Sequence, residues 1–365
     1  MALLTSARTW RGSGVSLGHI AAGLIERGHL PHLFAGETAV VERFAGLGLP
    51  TSRVPTAKTG LREAVVLGSK LRAIQADALL VDRPRDLRLG ALASLIHPLA
   101  LINRYNLSRQ NPPPDILSRL AYRRVRLTIF VSESSARQAL NRAAYLNRRP
   151  HRVIAEGVDP DLFRPDSESG KAFRQRHGLG QMPYLVAVGS LGLDKRYEFL
   201  LRSLAHLGKA APTLVICGTG SLAQAIREWA RELSLDVRLA GQVEPEQLRG
   251  AYNGALCMVH AGAIETFGIS VLEAMACGRP VVAVRGGAVP EVVGEAGLLT
   301  PPDDPAAFAG MIQRLVSDSA LRTSLGQAAR QRAVGAFSLA KMRDSYNRAI
   351  ESVCSGRHQA PAVAS

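Results

Sequence analysis

Short apolar runs recur along this chain, and each is followed by a stretch with helical rather than alternating periodicity. A strand apolar on both faces must be covered on both sides, and one that leads into a helix instead of a hairpin pairs parallel with its neighbours. The pattern therefore restricts the chain to α/β architecture, with parallel sheets covered by helices. In the first half, strands are expected at 2–5, 32–35, 78–82, 99–102, 127–131 and 152–154, and helices at 15–27, 61–75, 86–97, 115–124 and 134–142. Pro112, Pro113 and Pro114 interrupt the pattern with a rigid exposed loop. The strand pattern lapses over the polar stretch 164–182, read as the end of one domain and a connecting segment. A second series then starts, with strands at 184–188, 213–217, 237–240, 255–259 and 281–284 and helices between them. Helices at 305–317, 321–334 and 339–353 close the chain. A length of 365 residues is about twice a typical domain. The expected division is 1–166 and 167–336, with a helix at 337–356 returning to the first domain and a flexible tail at 357–365.

The chemistry is concentrated in 260–284. Two carboxylates, Glu265 and Glu273, stand across a loop-to-helix junction between two apolar strands. Gly268 lies between them where the helix should begin, so the free N–H groups of Ile269 and Ser270 can face an anion. Glu273, near the second turn, is too far along to be a cap. Phosphate at one end and hydroxyls on either side describe a nucleotide sugar.

The stretch Glu265-Thr266-Phe267-Gly268-Ile269-Ser270-Val271-Leu272-Glu273-Ala274-Met275-Ala276-Cys277-Gly278-Arg279-Pro280 resembles the Glu-x7-Glu donor site of family 4-type retaining glycosyltransferases. The resemblance implies a GT-B fold, in which two Rossmann-like, doubly wound parallel-sheet domains face one another across a cleft. It implies that Glu265 faces the transferred sugar and Glu273 the ribose hydroxyls, with Phe267, Gly268, Ile269 and Ser270 on the donor between them. The donor would be a UDP-, GDP- or ADP-sugar, with no resident metal or other cofactor. After strand 184–188, Gly189-Ser190 through Lys195-Arg196 is similar to the family's diphosphate-binding loop. Lys195 matches its lysine, which makes Lys195 a catalytic candidate with Glu265. Ser190 stands where the family has an arginine, and Arg196 is expected to compensate. By the same resemblance Gly218, in a Gly-x-Gly turn, and Val243, beside the nucleobase, complete the donor side. Glu156-Gly157-Val158-Asp159 and Phe163-Arg164-Pro165 resemble the segment that closes the first domain. This context sets aside Asp159-Pro160-Asp161 as a metal motif.

Gly12 and Gly14 precede the first long helix. About six residues separate the first strand from Gly12, more than a dinucleotide turn takes, so a glycine-rich loop approaching the diphosphate or acceptor is the preferred role. On the acceptor side the candidates are Asp82 and Arg85 after one strand and Arg104 and Tyr105 after the next, where the family often has a histidine.

The formal charge of +15 comes mainly from arginine, with only six lysines in the chain. Its densest cluster is Arg119, Arg123, Arg124, Arg126, Arg137, Arg142, Arg148, Arg149 and Arg152. Basic clusters attract anionic lipid headgroups and phosphorylated substrates, so the acceptor is expected to be an anionic or lipid-linked hydroxyl compound, with peripheral contact to an anionic membrane. Nucleic acid is not an expected partner. Cys217, Cys257, Cys277 and Cys354 lack metal or redox spacing and read as small buried residues of a reducing compartment. No secretory signal is legible, and the longest apolar stretch, 89–102, is too short and interrupted to span a bilayer, so a cytoplasmic protein is expected. Rival readings are a nucleotide-sugar epimerase of the same fold, an NADPH-dependent oxidoreductase using the Gly12 loop, and a catalytically silent binding protein.

Overall fold

A computed structural model describes residues 1–9, 12–106 and 116–355. Trp10, Arg11, the Pro112–Pro114 loop, Asp115 and the tail expected at 357–365 lie outside the described residues. The chain divides into two compact units, Met1–Glu156 with Leu339–Ser365, and Gly157–Ser338.

The first unit contains β1 (Ala2–Thr5), α1 (Gly12–Glu26), β2 (His32–Ala35), α2 (Thr38–Ala45), β3 (Thr51–Arg53), α3 (Leu61–Ala73), β4 (Ala78–Val81), α4 (Pro84–Ile96), β5 (Ala100–Tyr105), α5 (Ile116–Tyr122), β6 (Val125–Phe130), α6 (Glu133–Arg142) and β7 (His151–Val153). The second contains α7 (Ser167–Arg176), β8 (Tyr184–Val188), α8 (Tyr197–Ala205), β9 (Thr213–Cys217), α9 (Ala223–Glu232), β10 (Val237–Gly241), α10 (Pro245–Gly254), β11 (Cys257–His260), α11 (Ile269–Ala276), β12 (Val281–Val284), α12 (Val289–Val293), β13 (Leu298–Thr300), α13 (Pro305–Ser317) and α14 (Ser319–Phe337). The last helix, α15 (Leu339–Ser355), belongs to the first unit.

Both sheets are parallel throughout. Their orders are β3-β2-β1-β4-β5-β6-β7 and β10-β9-β8-β11-β12-β13. Each order reverses once, between β1 and β4 in the first sheet and between β8 and β11 in the second. Loops leaving such adjacent strands diverge to opposite faces, and the crevice between them is where an open α/β sheet binds ligands. In the second unit those loops are 189–196 and 261–268.

The chain leaves the first unit and re-enters it at one place. Val158 donates its N–H to the Phe337 carbonyl at 2.9 Å and forms a parallel bridge with Ser338. Leu339, Met342, Tyr346, Ala349 and Ile350 then recur at helical spacing along α15 and join the core of Leu17, Ile20 and Leu24 from α1. Asn347 also donates to the Gly23 carbonyl at 2.9 Å.

Residues 157–166, assigned from sequence to the first domain, fold with the second. Asn253 accepts from the Asp166 N–H and donates to the Arg164 carbonyl, and Arg330 donates to the carbonyls of Pro160 and Phe163. The segment 164–182 is not a mere connector either, since it holds α7, capped by Asp166. Gly170 lets its backbone close on Asn253 and Gly254 of α10, where any Cβ would come within 2.9 Å. Contact through glycine and backbone leaves little apolar periodicity to read. The expectation also lacked α2, β3, α12 and β13, all short.

A candidate donor site at the strand reversal of the second unit

Strand β8 ends at Val188 and β11 at His260, and the loops that follow bring Lys195 and Glu265 together. The Lys195 ammonium donates to Glu265 Oε2 at 2.5 Å, and the two side chains are only 18% and 15% exposed. Burial alone would raise the Glu265 pKa. The Lys195 charge, with help from His260 and the Thr266 N–H, outweighs it and holds the carboxyl below its ordinary range. Asp194 Oδ2 lies 4.0 Å from the same ammonium.

Gly268, at φ +96°, takes a backbone conformation that disfavours other residues and turns the chain into α11. No side chain caps this helix. The first N–H groups of α11, including those of Ile269 and Ser270, therefore have no intrahelical partner. Ser270 Oγ donates to the Val188 carbonyl at 3.3 Å, which sets the start of α11 against the end of β8. One crevice thus presents a cation, an uncapped helix N-terminus and a carboxylate.

Glu273 lies one turn further along α11 and accepts from the Tyr252 hydroxyl of α10 at 2.8 Å. With no cation opposite among the described residues, burial pushes its carboxyl up to about 7, against the lowering effect of that hydrogen bond. Phe267 is buried and packs edge-on against Phe337 with ring centroids 5.8 Å apart, so only its backbone can serve a ligand.

Arg196 does not take up the role expected for it. Its φ of +53° redirects the chain, and its guanidinium donates to the Pro302 carbonyl at 2.5 Å and to Asp303 Oδ1 at 2.6 Å. It also covers the Phe199 ring at 4.6 Å. In this arrangement Arg196 belongs to the loop after β13 rather than to Lys195.

Gly218 is more than a tight turn. At φ +146°, a Cβ there would lie 1.9 Å from the Gly189 carbonyl oxygen, and the Gly218 N–H donates to Gly241 O at 2.7 Å. The loops after β8, β9 and β10 are thereby stacked backbone on backbone, with Val243 half-buried just beyond.

Two contributors escaped the sequence reading. His260, the last residue of β11, is buried with Nε2 3.6 Å from Glu265 Oε2, and among the described residues that nitrogen has no hydrogen-bond partner. Burial lowers its pKa to about 4, so the ring is neutral around pH 7. A histidine at a strand end carries no local signature; only its spacing of five from Glu265 could have flagged it. The other is the Gly286-Gly287 turn after β12, beyond which the Ala288 N–H donates to the Glu265 carbonyl at 2.9 Å. Consecutive glycines after a strand were the available signal.

In the first unit, Gly12 and Gly14 are the opening turn of α1, not a loop before it. Asp82 and Arg104 are likewise not free to meet an acceptor. Arg104 is fully buried and donates to Asp82 at 2.7 Å, Ser16 at 2.6 Å, Tyr346 at 3.0 Å, and to Glu156. Ser16 in turn donates to Glu156 at 2.5 Å. Burial would lower the Arg104 pKa, but Glu156, Tyr346 and Asp82 hold it above the ordinary value, whereas burial outweighs Arg104 and raises Asp82. Arg85 is half-buried, 3.5 Å from the Thr56 carbonyl, and Tyr105 packs on Phe130 at 5.4 Å.

Residues 170–332 match the family model described as "Glycosyl transferases group 1". The second unit is a group 1 glycosyl transferase domain. Among curated relatives, a D-inositol 3-phosphate glycosyltransferase of Corynebacterium jeikeium is 36% identical over 193 residues, 48% of this chain and 46% of that protein. A GDP-mannose-dependent alpha-(1-6)-phosphatidylinositol monomannoside mannosyltransferase of Mycolicibacterium smegmatis is 32% identical over 192 residues, 48% of this chain and 50% of that protein. The chain thus spans about half the length of these relatives. A crystal structure of Anabaena HepE in complex with UDP and glucose superposes with a TM-score of 0.84 at 19% identity, covering 96% of this chain and 99% of that one. The fold of the chain is GT-B, with two parallel-sheet α/β domains. Among the described residues, no group of three or more His, Cys, Asp or Glu is placed to hold a metal ion.

Proposed function

We propose that the chain transfers a sugar from a nucleoside diphosphate sugar to an acceptor hydroxyl with retention of anomeric configuration. The observation that carries this reading is the Lys195–Glu265 pair beside the uncapped start of α11, at the strand reversal of the second sheet. An entering diphosphate competes with Glu265 for the Lys195 ammonium and faces the Ile269 and Ser270 amides. Glu273, a shielded carboxyl with no cation of its own, is free to accept from ribose hydroxyls. Released from Lys195, Glu265 accepts from hydroxyls of the transferred sugar and orients it. Gly218 and Val243 line the route to the nucleobase.

In the step itself, the bond from the anomeric carbon to the diphosphate oxygen breaks as the acceptor oxygen bonds to that carbon on the same face. The departing phosphate oxygen takes the acceptor proton. The positive charge that such a step needs on the leaving group comes from Lys195 and the α11 amides, so this reading requires no resident metal.

The names of the two relatives, with inositol phosphate and phosphatidylinositol in them, support an anionic or lipid-linked acceptor, in keeping with the arginine excess of the first unit. The test is acceptor-dependent release of nucleoside diphosphate from UDP-, GDP- and ADP-sugars. Release that needs an acceptor supports the transferase, and donor conversion without one marks an epimerase. Lys195→Ala should lower turnover about 100- to 1,000-fold, as expected for removing one donor to a developing oxyanion. Glu265→Gln should also lower it sharply, and wild-type rates in both would remove the pair from the mechanism.

A further inference from the structure

Helix α5 has two faces of opposite character. Ser118, Ala121 and Tyr122 are buried, and the Tyr122 hydroxyl accepts from Asn103 at 2.9 Å, which fixes the helix on the first sheet. On the outer side Ile116, Leu117 and Leu120 are between 47% and 73% exposed. They share one stripe, flanked by the exposed arginines Arg119 and Arg123. Arg124 reaches Ser94 of α4 at 3.4 Å, and the next residue of α4, Leu95, is exposed as well. Arg149 donates to the Arg123 carbonyl and adds another guanidinium to the same edge.

Residues 116–152 hold nine arginines and a single carboxylate, Glu133. Among the described residues, Arg119, Arg123 and Arg126 have no carboxylate partner. The surface combines protruding leucine and isoleucine side chains with unneutralised positive charge, on a helix too short to span a bilayer. No helix among the described residues is long and apolar enough to cross a membrane.

We infer that the outer face of α5, with Leu95 and the surrounding arginines, docks on an anionic lipid bilayer. Apolar side chains enter the headgroup–acyl boundary while arginines beside them meet lipid phosphates. The core of a protein interface is instead depleted of charge. Such a surface would bring a lipid-linked acceptor to the first unit, a consequence that rests on the proposed function, although the docking does not.

The test is co-sedimentation of the full chain with vesicles of phosphatidylcholine alone, and of phosphatidylcholine mixed with phosphatidylglycerol. The wild type should be retained on the anionic vesicles at low salt and released by raised salt. The double variants Leu117→Asp/Leu120→Asp and Arg119→Ser/Arg123→Ser should each bind about tenfold or more weakly. Both alter exposed positions, and unchanged circular dichroism and Tm would show that they fold. Equal retention of wild type and variants, no retention of the wild type, or a self-associated wild type that becomes monomeric in the leucine variant would each overturn the inference. Because lipid binding is read without any sugar donor, failure here is distinguishable from failure of the transferase reading.

Discussion

The two units each hold a cation–carboxylate cluster near the carboxyl ends of their strands, and the clusters are built for opposite ends. In the first, Arg104 is sealed from solvent and its guanidinium is bonded to Asp82, Glu156, Ser16 and Tyr346. Those partners come from four parts of the unit, including α15 near its end, so the cluster locks distant pieces of chain into one core. In the second, Lys195 and Glu265 keep some solvent exposure, His260 Nε2 is left unpaired, and an uncapped helix opens beside them. A sealed cluster gives a ligand no access to its cation, whereas an open one exchanges an internal partner for an external one.

That contrast is most severely tested by removing each cation. Arg104→Met leaves Asp82 and Glu156 as uncompensated buried carboxylates and should cost about 3–5 kcal/mol in urea unfolding. Lys195→Ala should cost less, about 1–3 kcal/mol, because its pair is 18% and 15% exposed and water can reach the carboxylate left behind, while donor binding falls about tenfold or more. Similar stability losses for the two would erase the distinction between clusters.

Smaller effects should appear with pH, in opposite directions for two groups of the second unit. The Glu273 carboxyl is raised to about 7. Its contribution to folding is present below the ordinary carboxyl range and lost as pH rises through 7. His260, lowered to about 4, contributes stability that is present above its ordinary pKa and lost as pH falls toward 4. Unfolding free energies from urea titrations against pH, compared with Glu273→Gln and His260→Asn, should differ by about 1–3 kcal/mol across those windows. Flat difference curves would mean that both groups sit in ordinary solvent.

The smallest change is expected at Arg196. Its partner Asp303 is exposed, so Arg196→Ala should shift stability by under about 1 kcal/mol. It should leave nucleotide affinity nearly unchanged, as read by titration calorimetry. A tenfold loss of affinity would instead show that Arg196 swings to the diphosphate and does the work expected of it at Ser190.

What was legible in the sequence follows from the range of the interactions. The parallel-sheet pattern and the Glu265–Glu273 junction are local: periodicity, one glycine and two carboxylates within a single loop and helix. The roles of Asp82 and Arg104 were misread because their partners lie far along the chain, with Tyr346 242 positions from Arg104. No window around 82–105 contains the information that both side chains are buried. Helix α7 escaped for a different reason, since Gly170 and Gly250 join α7 to α10 through backbone and offer no apolar stripe. The direction of Arg196 depends on a left-handed backbone at a residue type that seldom adopts it.

In the proposed function Lys195 and the start of α11 hold the diphosphate of a nucleotide sugar, and Glu265 orients the sugar. Calorimetric titration of the wild type and of Lys195→Ala with UDP-, GDP- and ADP-sugars, with NADPH as control, tests it most directly. At least one nucleotide sugar should bind the wild type and bind Lys195→Ala about tenfold or more weakly, while NADPH gives no heat. Equal affinity in both proteins, or saturable binding of NADPH alone, would contradict the account.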